Sequence, residues 1–129
     1  MIEIRKYSIN DEEKIMAIIT QEGKEWKSYR DPKYKAALLN SITYVAYEND
    51  DLCGYVRAVN DNDYYIFVFD LLVTPKHRGK NIGRLLMENL YQEYPNISDI
   101  FVTSDEDLYY KKQGYEAIGT IFKVTNRNK

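Results

Sequence analysis

The sequence is poor in the residues that build disulfides and metal sites. It contains one cysteine, Cys53, and one histidine, His77, among its 129 residues. A single cysteine excludes an internal disulfide and a cysteine-based zinc site, and a single histidine excludes a histidine-rich metal site. We therefore expect no metal cofactor.

Long apolar runs are also missing. No stretch approaches the roughly 20 apolar residues needed to cross a bilayer, and the N-terminal segment 1–6 lacks a signal-peptide pattern. The formal net charge of −2 gives no global attraction to nucleic acid. These features predict a single domain over residues 1–129, located in the cytoplasm, with neither a membrane nor a nucleic acid as partner.

The hydrophobic pattern alternates between strand and helix periods. It predicts strands over residues 2–5, 43–47, 52–59, 64–73 and 100–103. Helices are predicted after the caps Asn10 and Asp31, from Ile82 to the stop at Pro95, and over residues 105–113. The tail, residues 115–124, has the length of one more hairpin around Gly119. The helix between the strands at 64–73 and 100–103 predicts that these two strands run parallel.

Residues 70–86 join the end of a buried strand to a helix through a basic loop that contains two glycines. A loop that enters a helix directs unpaired backbone N–H groups, and the positive end of the helix dipole, at one place. Arg78, Lys80 and Arg84 add positive charge around it. This arrangement predicts a site for a phosphate or pyrophosphate group, beside which His77 is expected to be a solvated loop residue.

Two motifs of this sequence resemble those of the Gcn5-related N-acetyltransferase (GNAT) family. The first runs Val73-Thr74-Pro75-Lys76-His77-Arg78-Gly79-Lys80-Asn81-Ile82-Gly83, with Asn81 where the family usually has its first motif glycine. Asparagine is the non-glycine residue best able to adopt left-handed backbone angles. The second motif is Tyr109-Tyr110-Lys111-Lys112-Gln113-Gly114-Tyr115. Two motifs at the separation usual in the family are stronger evidence for it than either motif alone.

The resemblance implies a mixed α/β (α+β) fold, with a mostly antiparallel sheet of six to seven strands flanked by about four helices. It implies acetyl-CoA as donor substrate and an N-acetyltransferase that works by direct attack of an amine, without a covalent enzyme intermediate. The residues it assigns to the cofactor are Leu71, Leu72, Val73, Arg78, Gly79, Lys80, Asn81, Ile82, Gly83 and Arg84.

For the chemistry, a main-chain N–H at Leu71 or Leu72 is the candidate donor to the oxyanion, and the resemblance makes Tyr110 the general acid. Many family members carry a carboxylate or histidine in the strand where this chain has Phe67 and Phe69. The titratable residue nearby is Asp70, which simple alternation turns to the other face unless a bulge redirects it. Asp70 is thus either a base or substrate-binding carboxylate, or a structural residue.

The acceptor is expected to meet aromatic side chains between the first two helices, namely Trp26, Tyr29 and Tyr34. Together with Asp70 they favour a cationic amine, of a small molecule or a peptide. An alternative is a CoA-binding sensor or interaction module without catalysis, which Asn81 and the missing strand carboxylate favour. A homodimer through a sheet edge or the tail is compatible with the sequence.

Overall fold

The computed structural model describes residues 1–104 and 106–125, without the side chains of residues 24–27. Within these residues five strands and four α-helices follow one another along the chain. The strands are β1 (Ile2–Lys6), β2 (Ile42–Glu48), β3 (Asp51–Asp61), β4 (Tyr65–Val73) and β5 (Asp99–Val102). The helices are α1 (Glu12–Gln21), α2 (Pro32–Asn40), α3 (Ile82–Glu93) and α4 (Asp107–Lys112), and short 3₁₀ segments cover Ile9–Asp11, Gly23–Arg30 and Pro75–His77.

The strands form one sheet in chain order, with β1 to β4 antiparallel and β5 parallel to β4. This confirms the mixed, mostly antiparallel architecture and the parallel pair around α3. The two faces of the sheet bury separate hydrophobic clusters. Helices α1 and α2 pack on one face around Ile15, Leu38 and Tyr55, and α3 packs on the other through Ile82 and Leu86.

Local signals place several of the helices. Asp31 caps α2, because its side chain accepts a hydrogen bond from the Lys33 amide at 2.7 Å and Pro32 occupies the first helical position. The first helix differs from the prediction, since it begins at Glu12 after a 3₁₀ turn rather than directly after Asn10.

The strand count of six to seven was too high. Among the described residues the sheet has five strands, and the tail predicted as a hairpin around Gly119 contains none. Apolar side chains of this tail, including Ile118, Ile121 and Phe122, are exposed. A strand is stable only with a lateral hydrogen-bonded neighbour and a covered apolar face, and neither can be read from a short apolar pattern.

A β-bulge in β4 sets the orientation of the residues that follow it. Arg57 pairs with Asp70 and Ala58 pairs with Val68, so Phe69 has no residue opposite it on β3. The extra residue reverses the alternation. Asp70 therefore points to the α1–α2 face, and Leu71 packs against the cluster on the α3 face.

Candidate active site

The parallel strand pair opens at the carboxyl end of β4. Strand β5 ends at Val102, which pairs with Val68, and the last main-chain bond between this region and β4 is donated by Thr103 N–H to the Val68 carbonyl at 3.1 Å. Within the described residues, no strand pairs with β4 beyond Phe69 on this side. A main-chain edge is therefore left open.

The amide groups on this open edge can be assigned from the pairing of β4 with β3. Thr74 N–H donates to the Cys53 carbonyl at 2.9 Å, so it points to β3. Successive residues of a strand direct their main-chain groups to opposite sides. The main-chain N–H and C=O of Leu72 therefore also point to β3, consistent with its carbonyl lying beside Gly54. The main-chain groups of Leu71 and Val73 point to the opening. Of the two predicted oxyanion donors, the structure places Leu71, not Leu72, on the open edge.

A cleft of about 890 Å³ lies along this opening, between β5, α4, the tail and one side of α3. It brings together four of the side chains singled out from the sequence: Tyr29, Asp70, Leu71 and Tyr110. Other lining residues include Phe69, Met87, Tyr91, Asp99, Phe101, Asp107, Lys111, Tyr115 and Glu116.

The loop between β4 and α3 has the geometry expected of an anion site. After the 3₁₀ turn, Gly79 adopts φ +84° and Asn81 adopts φ 63°, both in the left-handed region. Asn81 is the N-cap of α3, and its left-handed angles agree with the tolerance of asparagine for them. Nothing lies within 4 Å of a Cβ built on Gly79, so the loop is open to solvent there. The first amides of α3, which lack partners within the helix, face outward from this end.

The three cations predicted around the anion site, Arg78, Lys80 and Arg84, are each paired with a glutamate. Arg78 donates to Glu22 at 3.0 Å and, through Nε, to the Val73 carbonyl at 3.1 Å. Lys80 Nζ lies 3.4 Å from Glu48 Oε1, and this hydrogen bond is the main cause of the lowered pKa of Glu48. Arg84 lies 3.5 Å from Glu88 one helical turn on. An incoming phosphate group would compete with these carboxylates.

His77 is buried, contrary to the expectation of a solvated loop residue. It is 3% exposed, its Nδ1 lies 2.6 Å from Thr74 Oγ1, and its Nε2 lies 3.3 Å from Glu48 Oε1. The prediction failed because a 3₁₀ turn folds residues 75–77 back against the end of β2, a long-range contact that the local sequence does not encode.

Asp70 is a buried member of a polar network. Its Oδ2 accepts hydrogen bonds from Arg57 Nε at 2.5 Å and from the Tyr34 hydroxyl at 2.6 Å. The Tyr34 hydroxyl also lies 2.8 Å from that of Tyr55. Burial raises the pKa of both tyrosines, and the Asp70 charge reinforces this. The geometry favours the structural interpretation of Asp70, because its buried charge is compensated by an arginine.

The network also relocates one predicted acceptor residue. Tyr34 is part of the core beside the cleft rather than of the cleft wall, with its hydroxyl bonded to Asp70. Sequence reasoning missed its partners Arg57 and Tyr55. A signal for Arg57 existed, since it is the single charged residue within the apolar run 52–59. Tyr29 lines the cleft as predicted, and the side chain of Trp26 lies outside the described residues.

The two motif tyrosines occupy different places. The Tyr109 hydroxyl lies where a Cβ on Gly83 would be, over the first turn of α3. Burial raises the pKa of Tyr109. Tyr110 lines the cleft, where its ring stacks on that of Tyr115 with centroids 6.0 Å apart. Helix α4 thus presents one tyrosine to the anion loop and the next to the cleft.

Comparison with known proteins identifies this arrangement. The family model described as an acetyltransferase (GNAT) domain matches residues 40–117, which include β2 to β5, the anion loop and α4. The chain belongs to the GNAT family. The matched region contains both motifs on which the resemblance rested.

Individual relatives agree with this assignment. The uncharacterized N-acetyltransferase ycf52 of Pyropia yezoensis is 29% identical over 92 residues, which cover 64% of this chain and 53% of the relative. The GCN5-related N-acetyltransferase 2, chloroplastic, of Arabidopsis thaliana is 32% identical over 71 residues, or 51% of this chain and 27% of the relative. The chain thus matches about half, or less, of the length of these curated GNAT proteins.

Solved GNAT structures share the fold. A GNAT family acetyltransferase from Streptococcus pneumoniae superposes with a TM-score of 0.77 at 24% identity, covering 98% of this chain and 99% of the other. An aminoglycoside N-acetyltransferase in complex with CoA gives a TM-score of 0.77 at 14% identity, covering 98% and 95%. In the part of the chain that the structure describes, no helix has the length and apolarity to span a membrane.

Proposed function

We propose that this chain is an N-acetyltransferase that transfers the acetyl group of acetyl-CoA to a primary amine, and that residues 1–129 form its single catalytic domain. One observation carries the proposal. The open main-chain edge at Leu71 and Val73 lies between the anion loop on one side and the cleft containing Tyr110 on the other. A donor held along this edge would present its thioester to the cleft.

The donor would be bound mainly by backbone groups. The amides from Arg78 to Arg84, at the start of α3, suit a pyrophosphate, because they combine unpaired N–H groups with the positive end of the helix dipole. The outward main chain of Leu71 and Val73 suits the amides of a pantetheine arm. The space around Gly79 fits this assignment, since it leaves the backbone accessible to a phosphate.

The chemistry requires few side chains. The neutral amine attacks the thioester carbonyl carbon, and the negative charge that develops on the carbonyl oxygen is stabilised by the fixed Leu71 N–H. As the C–S bond breaks, Tyr110 donates its proton, or a strong hydrogen bond, to the departing thiolate. The attacking nitrogen releases one proton to water as the amide forms, and a proton taken up from water restores Tyr110 or completes the thiol, so the products are the amide and the thiol.

We propose no side-chain base. Asp70 Oδ2 is already engaged by Arg57 and Tyr34, and Phe67 and Phe69 have no titratable group. The amine would then arrive neutral or lose its proton to water. At low amine concentration the rate is expected to rise with pH up to the pKa of the acceptor amine itself.

For the acceptor, we propose a small cationic amine. The cleft is lined by the carboxylates Asp99, Asp107 and Glu116 and by the cation Lys111, and its aromatic rings suit an ammonium group. Structural neighbours include an aminoglycoside acetyltransferase in complex with sisomicin, at 17% identity. A peptide amine, a homodimeric state and a cytoplasmic location stay predictions.

The alternative, a CoA-binding module without catalysis, is favoured by the lack of a strand carboxylate at Phe67 and Phe69. An amine panel with acetyl-CoA separates the two. We expect turnover of polycationic amines, and we expect Tyr110→Phe to lower kcat on the order of 100-fold. Tyr64→Phe, at an exposed site just before the first residue of β4, is the matched control and should leave kcat unchanged. Saturable CoA binding without turnover of any amine would support the module and reject the enzyme.

A further inference from the structure

The two partners of His77 assign the tautomer of its neutral form. Its Nε2 faces a carboxylate oxygen of Glu48, so this nitrogen carries the proton and donates. Its Nδ1 then accepts from the Thr74 hydroxyl, 2.6 Å away. Both ring nitrogens of the neutral side chain are satisfied, and the ring is 3% exposed. His77 is therefore placed to hold other groups rather than to touch a ligand.

The groups that His77 joins belong to three different parts of the site. Thr74 follows the open edge of β4, and its amide is bonded to β3. Glu48 is the last residue of β2, and its Oε1 also receives Lys80, which lies in the loop between Gly79 and Asn81. The path Thr74–His77–Glu48–Lys80 thus links the end of β4 to the loop that enters α3.

We propose that His77 is a positioning residue for the donor site, which fixes the loop 78–83 relative to the open edge of β4. The inference rests on the proposed use of acetyl-CoA. A donor that bridges the anion loop and the β4 edge needs both at a fixed separation, and the Nε2–H bond to Glu48 supplies this constraint. The bond to Glu48, rather than the bond to Thr74, is the one that reaches the loop.

Two conservative variants separate these bonds. Glutamine can place its amide N–H near the position of Nε2, whereas asparagine places its amide oxygen near that of Nδ1. His77→Asn is expected to raise the Kd of CoA and the KM of acetyl-CoA about tenfold, the effect of losing one hydrogen bond to a charged group, with kcat at saturation changed less than twofold. His77→Gln is expected to stay within about threefold of wild type, at most about half of that loss in free energy.

Calorimetric titration with CoA, at a temperature well below the melting transition, provides the readout. Ile15→Val, a cavity-forming change in the core between the sheet and α1, is the control for loss of stability and should leave the Kd unchanged. If His77→Asn lowers the melting temperature but binds CoA like wild type, His77 has only a structural role and the inference is wrong. Equal losses in His77→Asn and His77→Gln would also overturn it. Wild-type protein that does not bind CoA would instead reject the proposed function itself.

Discussion

Replacing Asp70 with alanine is expected to destabilise the fold strongly, because it leaves the Arg57 guanidinium without its partner. The Asp70 side chain is 1% exposed and that of Arg57 is 15% exposed, so solvent can screen the remaining charge only in part. Breaking a buried ion pair by removing one partner costs about 3–5 kcal/mol. In a chain of this size that corresponds to a fall in melting temperature of roughly 12–20 °C.

Two further variants test whether the unpaired charge of Arg57 causes this loss of stability. Asparagine keeps one oxygen to accept from Arg57 and Tyr34 but loses the charge, so Asp70→Asn is expected to cost about 1–3 kcal/mol. The double change Arg57→Met with Asp70→Leu removes both charges and keeps an apolar volume. Since buried pairs are often replaceable by packed hydrophobic residues, it should recover most of the loss, to within about 2 kcal/mol of wild type.

The assay combines thermal unfolding with kinetics of acetyl transfer measured well below each melting temperature. If Asp70 is structural, Asp70→Asn should retain kcat to within about tenfold, less than the loss expected for a general base, and keep the pH profile of wild type. The reasoning is refuted if Asp70→Asn melts like wild type but loses activity together with a limb of the pH profile, because Asp70 would then act as the base.

Three other changes probe close approaches and burial. Gly54→Ala would place a Cβ 2.8 Å from the Leu72 carbonyl oxygen, so it should lower the free energy of unfolding by about 1–3 kcal/mol. It should also lower kcat/KM, because the neighbouring edge of β4 shifts. An unchanged melting temperature would show that β3 and β4 separate freely. Gly83→Ala meets the movable end of the Tyr109 side chain, so the free energy of unfolding should change by less than about 1 kcal/mol, and a larger loss in thermal melts would show that Tyr109 is fixed. Burial raises the pKa of Tyr44 to about 12 in the folded protein. The contribution of Tyr44 to stability should therefore be complete below about pH 10, its pKa in the unfolded chain, and be lost as the pH rises through the pKa of the folded protein. A spectrophotometric titration in which Tyr44→Phe removes no late-titrating phenol would contradict this.

The sequence allowed the fold family and the donor side to be predicted because their signals are local. The loop from Arg78 to Gly83 has left-handed backbone angles at Gly79 and Asn81, and those of Asn81 were indicated by its position in the family motif together with the tolerance of asparagine for such angles. The match to the family model over residues 40–117 confirms the family, and the residues assigned to the donor stay predictions.

What could not be predicted depends on contacts between distant residues. Burial of His77 requires Glu48, 29 positions earlier, to arrive beside it, and the partner of Asp70 is an arginine on the neighbouring strand. The missing tail strands have the same cause, since the apolar pattern of residues 115–124 does not specify a lateral partner. Polar networks and sheet edges are decided by tertiary structure, which a local pattern cannot encode.

The unpaired residue Phe69 divides β4 into two segments whose side chains alternate between the faces of the sheet in opposite order. Before it, even-numbered residues such as Val68 point towards α3; after it, odd-numbered residues such as Leu71 do. Without this residue, Asp70 would follow Val68 directly and still pair with Arg57, so β4 would be a regular strand with the same side chains on each face. A relative whose β4 has no bulge should therefore be aligned with a one-residue gap at Phe69, because an ungapped alignment would equate residues that lie on opposite faces of the sheet.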